Sequence, residues 1–275
     1  LAYGAGSSVG NITFTDFRLN VAGDLNLTAG WDGVSTSTPV SAPTRGNIVL
    51  TGSTFGTSIQ AVNMDVQAGN NLTLTGGSGS GSGSFGPGAM LSSTGTQTIA
   101  VGNQILLTAG NFNNTGYSGS SQYGSSVVIE AMGAQTISAT TIKLVAGTAG
   151  HDNSATIMGS GSTQNITVTS SLELTGGAGG EANYAWIGAS GNLGVQTINA
   201  GGANIILTGG ASGGAWDREN SADIGLGDTN TGGSQTVYAG NITINGGGNS
   251  TTWGGAGFGS DNGLSRSFYV TGNLT

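Results

Sequence analysis

The chain has 275 residues, of which 55 are glycine, and only 7% of its residues are charged, with a net charge of −8 at pH 7. Its few basic residues are scattered and form no patch, which excludes the electrostatic attraction that nucleic-acid binding needs. The lack of cysteine removes disulfides and thiolate metal sites. No apolar run approaches the roughly 18 residues of a membrane-spanning helix, so no membrane insertion is expected.

Short strands with alternating apolar residues recur from the beginning of the chain to its end. One strand of each repeat carries an apolar anchor, often within Leu-Thr-Gly, at Leu27, Leu74, Leu107, Leu144, Leu174, Leu207, Ile244 and Leu274. The strand before it has apolar residues two positions apart, the first of them at Leu19, Met64, Ile99, Ile137, Ile166, Ile198, Val237 and Phe268. In the later repeats a third short strand precedes both and begins at Ala155, Ala185, Ala222 and Ala256.

A glutamine-led phrase, Gln-Thr-Ile or a close variant, opens the second of these strands. The glutamines stand two residues before an inward apolar residue, at Gln97, Gln135, Gln164, Gln196 and Gln235. Because an amide has no useful pKa, we expect a structural role, in which these side chains line up and hydrogen-bond to each other as amide ladders do in stacked strands.

Three short strands per repeat, with one long variable loop and two short connections, predict an all-β fold of the right-handed parallel β-helix (solenoid) type. We expect about eight coils in a single domain over residues 1–275. A β-sandwich would need short turns at both ends of each strand, and a propeller would need four strands per repeat. The long interval between Leu27 and Leu74, which contains Pro39 and Pro43, predicts an inserted loop at about residues 31–58.

Eight aromatic residues lie in or beside the variable connection, and we expect them to crowd onto one edge if the repeats stack in register. Such a row would bind glycans or another protein surface, or it would cover the backbone of its own loops. These residues are Trp31, Phe112, Tyr117, Tyr123, Tyr184, Trp186, Trp216 and Trp253.

No catalytic, cofactor or metal site is predicted, and the chain is expected not to be an enzyme. The densest group of acids, Asp217, Glu219 and Asp223 beside Arg218, is typical of a solvated loop. His151 is the single histidine, so neither a catalytic triad nor a histidine-based zinc site can be assembled. A polysaccharide lyase or hydrolase is the alternative, and it would need several carboxylates gathered in one groove.

The QTI-x-A strand, the I-x-L-T-G-G strand and the glycine-rich connections resemble the repeat regions of filamentous haemagglutinin-type bacterial exoproteins, which are exported by two-partner secretion. The resemblance covers nearly the whole chain and implies right-handed parallel β-helices that project from the outer membrane and act in adhesion, biofilm or matrix. The Asn-Pro motifs of that family's secretion domain are missing, since Pro39, Pro43 and Pro87 do not follow asparagine. Autotransporter passenger domains share the architecture.

The expected function is therefore that of a structural shaft or filament-forming segment, extracellular, on a bacterial cell surface or in a matrix. We expect it to associate with itself end to end or to continue into further coils, because open strand edges invite pairing. The alternatives are a carbohydrate-binding adhesin, with glycans as partners of the aromatic edge, and the polysaccharide-degrading enzyme.

Overall fold

A computed structural model describes residues 2–3, 10–31, 46–81, 86–114, 124–161, 163–180, 182–189, 194–210, 220–226, 233–247, 255–259 and 265–275. The regular elements in these ranges are β-strands. Their pairings are parallel. The expectation of an all-β chain with parallel pairing between repeats is confirmed.

One eight-stranded sheet, here called the alanine face, contains the strands that mostly begin with alanine or another small residue. Neighbours in this sheet come from successive repeats, and Ala155, Ala185 and Ala222 stand opposite one another. Its strands are Arg18–Asn20, Thr57–Ala61, Ala89–Ser93, Val127–Ala131, Ala155–Gly159, Ala185–Ala189, Ala222–Leu226 and Ala256–Gly259.

A thirteen-stranded sheet has two arms, here called the glutamine face and the leucine face. Four long strands run through both arms: Gln135–Val145, Thr163–Thr175, Val195–Thr208 and Ser234–Asn245. The glutamine face contains their first halves with Ala2–Tyr3, Leu25–Trp31, Met64–Ala68, Gln97–Val101 and Ser265–Val270. The leucine face contains their second halves with Ile12–Thr15, Ile48–Thr51, Asn71–Thr75 and Gln104–Thr108. A small separate sheet pairs Gly79–Gly81 with Phe112–Asn114.

The core consists of inward side chains from all three faces, and they form one contiguous apolar cluster. Because side chains alternate along a strand, every second residue points inward. In-register pairing then sets like residues above one another, as in the row Leu50, Leu74, Leu107, Leu144, Leu174, Leu207 and Ile244. Full burial of each such side chain contributes about 1.5–3 kcal/mol.

The glycine three residues after the leucine anchor is required by close packing between repeats. A Cβ built at Gly110 would collide with the carbonyl oxygen of Gly77, and the same clash recurs from repeat to repeat at Gly147, Gly177 and Gly210. Neighbouring repeats thus approach backbone to backbone at this corner, which only glycine permits.

The predicted alignment of the first repeats is wrong. Leu27 pairs with Val66 on the glutamine face, and Leu50 occupies the place in the leucine row before Leu74. Leu19 pairs with Ile59 on the alanine face. The cause is local: Asn-Leu-Thr at residues 26–28 copies the leucine-strand phrase but lies on another face. At the far end, Leu274 pairs with Ile242, two residues before the predicted position.

The inserted loop predicted at about residues 31–58 is also wrong in its bounds. Ile48–Thr51 and Thr57–Ala61 are regular strands within that range, each paired with strands of neighbouring repeats. Residues 32–45 lie outside the described part of the chain and connect the glutamine face to the leucine face. The long connections of later repeats, such as residues 209–221, instead lead from the leucine face to the alanine face.

Replacing Gly177 with alanine should destabilise the protein, because the added methyl group would force apart two backbones already in contact. We expect Gly177→Ala to lower the free energy of unfolding by about 1–3 kcal/mol in urea denaturation. The matched variant Gly23→Ala, where a Cβ meets nothing within 4 Å, should change stability little. Equal stability of both variants would contradict the close approach.

Candidate functional site

The five predicted glutamines form one continuous ladder of side-chain hydrogen bonds inside the protein. All five are buried. In each step Nε2 donates to Oε1 of the glutamine in the preceding repeat, at 2.8, 2.7, 2.7 and 2.6 Å from the first pair to the last. A buried amide must be paired to avoid a desolvation cost of about 1–3 kcal/mol. The ladder therefore favours one register between repeats and penalises any slip.

The two ends of the ladder differ in chemistry. Nε2 of Gln97 donates to the carbonyl oxygen of Glu130 at 3.1 Å and lies 3.8 Å from the Met64 sulfur. At the other end, Oε1 of Gln235 is buried and has no hydrogen-bond partner within the described residues. The residue that pairs with Gln235 in the next repeat is Arg266, whose guanidinium donates to the Phe258 carbonyl at 3.0 Å.

A second ladder, which the sequence analysis missed, fastens the connections that lead into the alanine face. Asn153, Asn183 and Asn220 are fully buried. Oδ1 of Asn220 accepts from the backbone N–H of Asn183 at 3.0 Å, and Oδ1 of Asn183 accepts from that of Asn153 at 2.8 Å. Nδ2 of Asn153 donates to the Ala149 carbonyl at 2.7 Å, within its own loop. The sequence does contain a pattern that could have predicted this ladder, because an asparagine stands two residues before the alanine strand in three successive repeats.

Asp16 clamps the loop of the following repeat. Its carboxylate accepts from the Ser53 hydroxyl at 2.6 Å and from the backbone N–H groups of Ser53 and Thr54 at 2.7 and 2.9 Å. The hydroxyl of Ser53 and the backbone N–H of Thr54 stabilise the charged form and hold the pKa of Asp16 well below its usual range. The hydrogen bonds of this carboxylate hold the loop in place, so we assign it a structural role and no ligand.

The predicted aromatic edge is only partly assembled in the described residues. Phe112 lies in the small sheet, and Trp186 lies within Ala185–Ala189 with Tyr184 just before it, so these three flank the connections into the alanine face. Trp31 ends a glutamine-face strand opposite Tyr3, at a different corner, and its inclusion in the edge is wrong. The remaining four lie outside the described residues: Tyr117, Tyr123, Trp216 and Trp253.

Other exposed aromatic residues were not predicted. Phe55 is 73% exposed, and Tyr238 and Tyr269 stack with ring centroids 4.9 Å apart on the outer surface of the glutamine face. Ala100 and Ser138 occupy the same outward row in earlier repeats. The outward position of Tyr238 and Tyr269 could have been predicted from the alternation of side chains along their strands.

The outer surface of the alanine face carries an aromatic side chain, Trp186, near two carboxyl groups, those of Glu130 and Asp223. Trp186 is half-buried and stands in register between Thr156 and Asp223. A Cβ at Gly188 would lie 2.6 Å from Cζ2 of the indole, so the ring lies across this glycine. The outward row beside the indole continues with Gly225 and offers no further side chain there.

Two carboxyl groups flank this surface. Burial raises the pKa of Glu130 and of Asp223; for Asp223 hydrogen bonds from Ser221 and the Gly257 backbone partly oppose that effect. Their strands are three spacings apart, about 14 Å, which exceeds the roughly 5–9.5 Å between the carboxyls of glycosidases. This pair is therefore unsuited to glycoside hydrolysis. Asp217, Arg218 and Glu219 lie outside the described residues.

The described ranges contain no group of three or more His, Cys, Asp or Glu side chains placed to hold a metal ion. Nor do they contain a helix of the length and hydropathy needed to cross a membrane.

The ladder predicts unequal costs for the same substitution at two places. Gln164→Met orphans the Oε1 of Gln135 and the Nε2 of Gln196, whereas Gln235→Met orphans only the Oε1 of Gln196. We expect Gln164→Met to lose about 1–3 kcal/mol more unfolding free energy than Gln235→Met. Chemical denaturation checks this, and equal losses would speak against a cooperative ladder.

Burial of Glu130 predicts a pH effect on stability. A carboxyl whose pKa is raised on folding binds its proton more tightly in the folded state, so stability falls as pH rises from the ordinary value of 4.5 through the raised pKa. We expect Glu130→Gln to be more stable than the wild type at pH 7 and equal to it at pH 3 in thermal unfolding. The control Glu173→Gln loses a half-exposed ion pair with Lys143 and should show no gain at neutral pH.

Comparison of the chain with protein-family models, with curated proteins and with solved structures finds no match.

Proposed function

We propose that this chain is a structural shaft segment of a bacterial cell-surface or extracellular-matrix fibre, wound as a right-handed parallel β-helix of about eight coils. It is non-enzymatic, and it extends by end-to-end self-association or by continuing into further coils. The observation that carries the proposal is the in-register stacking of like residues on three faces. The resemblance to filamentous haemagglutinin-type repeats supports the location.

The order of the strands supports the winding. After Thr57 the chain visits the alanine, glutamine and leucine faces in that order in each repeat and then returns to the alanine face. Each new strand pairs in parallel with its counterpart one repeat earlier. A chain that turns repeatedly in one sense around a common apolar core is the arrangement of a solenoid, in which each repeat contacts its neighbours.

The last repeat supports continuation of the stack. Phe268 occupies the inward row of Val237 and is 43% exposed, whereas Val237 is fully buried. Leu274 is 66% exposed above Ile242, which is 1% exposed. Exposed apolar rows beside an open strand edge favour the addition of another strand layer.

The first repeat offers matching rows. Ile12 begins the inward row that ends at Leu274, and Leu19 begins the row that ends at Phe258. Ile12 and Leu19 are half-buried. A second copy that continued these rows would set Ile12 on Leu274 and Leu19 on Phe258, with strand polarity preserved. Such a heterologous contact does not close and produces filaments.

Disulfide trapping tests this register, because the chain has no cysteine of its own. Thr13 and Thr275 belong to the same outward row of the leucine face. We expect the double variant Thr13→Cys, Thr275→Cys to form a ladder of covalent oligomers on oxidation, since aligned neighbours meet the Cα spacing of about 4.4–6.8 Å.

The control pairs Thr275→Cys with Thr15→Cys, which stands two residues further along the same strand and should cross-link poorly. A monomeric wild type in light scattering, together with no cross-linking of either variant, would contradict end-to-end association.

A further inference from the structure

We propose that the outer surface of the alanine face, from Val127–Ala131 to Ala222–Leu226, binds an amino-sugar polymer, a glycan whose sugar rings carry free ammonium groups. Trp186 is the platform, and Glu130 and Asp223 are the anionic contacts. This ligand site lies on the side of the stack. It does not depend on the end-to-end association proposed above.

The indole of Trp186 is suited to a pyranose ring with a positive charge. One side of the ring lies across Gly188, and the side chain is only half-buried, so part of it faces solvent. An exposed aromatic face offers a large apolar contact area for a flat ligand. Tryptophan is also the best aromatic partner for an ammonium group, through attraction to the ring quadrupole.

The charges of this surface select a cation. Asp223 is the register neighbour of Trp186, and Glu130 lies two strands before Trp186 on the adjacent outward row. Between these carboxyl groups the described outward residues are uncharged: Val128, Thr156, Met158 and Gly188. Two partly desolvated carboxylates without a described cation between them favour a ligand that brings ammonium groups and repel an acidic polysaccharide.

Thr156 is a second, independent sign of unused binding capacity. Its side chain is 2% exposed and stands in the outward row between Val128 and Trp186. Its hydroxyl has no hydrogen-bond partner among the described residues, which costs about 1–3 kcal/mol. Because this hydroxyl is covered, a sugar hydroxyl would recover the cost only if the side chains over it moved aside on binding.

The shape of the surface suits an extended chain. The outward row that holds Met158 continues with Gly188, Gly225 and Gly259, and this lack of side chains lets the indole of Trp186 lie flat over Gly188. Glu130 and Asp223 are three strand spacings apart along the stack, about 14 Å, and two residues apart along the strand, about 7 Å, which leaves room for a short oligosaccharide.

Calorimetric titration with oligomers of glucosamine, which carry free amines, tests the proposal. The wild type should bind these oligomers, and fully N-acetylated oligomers of the same length should bind at least ten-fold more weakly. Trp186→Ala should lose at least ten-fold in affinity. Trp186→Phe should keep the fold and part of the affinity, and Asp223→Asn should lose several-fold and show a weaker salt dependence.

The control Phe55→Ala removes a more exposed aromatic residue just before Thr57–Ala61, a strand four positions from that of Trp186 in the sheet, and should bind like the wild type. The proposal is overturned if the wild type binds no amine oligomer or if acetylated oligomers bind equally well. It is also overturned if Trp186→Ala with an intact circular dichroism spectrum binds like the wild type, or if Asp223→Asn keeps full affinity. These titrations read binding to a soluble oligosaccharide, so their failure leaves the cross-linking result on self-association intact.

Discussion

The main-chain hydrogen bonds between parallel strands of successive repeats are the constraint on which the rest of the structure depends. They hold equivalent residues about 4.8 Å apart, so every residue type becomes a row. Apolar rows build the core, the Gln97-to-Gln235 row becomes an amide chain, and the Gly77-to-Gly210 row allows backbones to touch. A residue that stabilises one repeat therefore stabilises each repeat in which it recurs, and a destabilising residue has its cost multiplied in the same way.

Sequence reasoning succeeded where a row carries a distinctive residue. The glutamine row, and the alanine row from Ala155 to Ala256, align in the structure as their phrases align in the sequence. A glutamine among apolar alternation identifies its face, because the amide is costly to bury and needs a partner of its own kind. The leucine row from Leu74 to Ile244 is recognised for a similar reason, since a glycine recurs three residues after its leucines.

The first repeats could not be aligned from sequence because apolar alternation is the same on all three faces. Leu27 and Leu50 both sit within short alternating strands, and only pairing with Val66 or Leu74 decides between them. Trp31 was assigned to the wrong corner for the same reason, because it lies in the same strand as Leu27. The Asn153 ladder was missed because its partners, such as the Phe112 and Ser125 N–H groups, lie in connections that no periodic pattern describes.

The glutamine ladder has a direction. Every amide donates toward the start of the chain, so the dipoles, each comparable to a peptide unit of about 3.5 D, add along the axis. The carbonyl pole ends at Oε1 of Gln235, where the next residue in register is the cation Arg266. The ladder lies inside the stack, with the strand of Met64 beyond one pole and that of Arg266 beyond the other. Its aligned dipoles therefore point the same way as the parallel strands and reinforce the single direction of the stack.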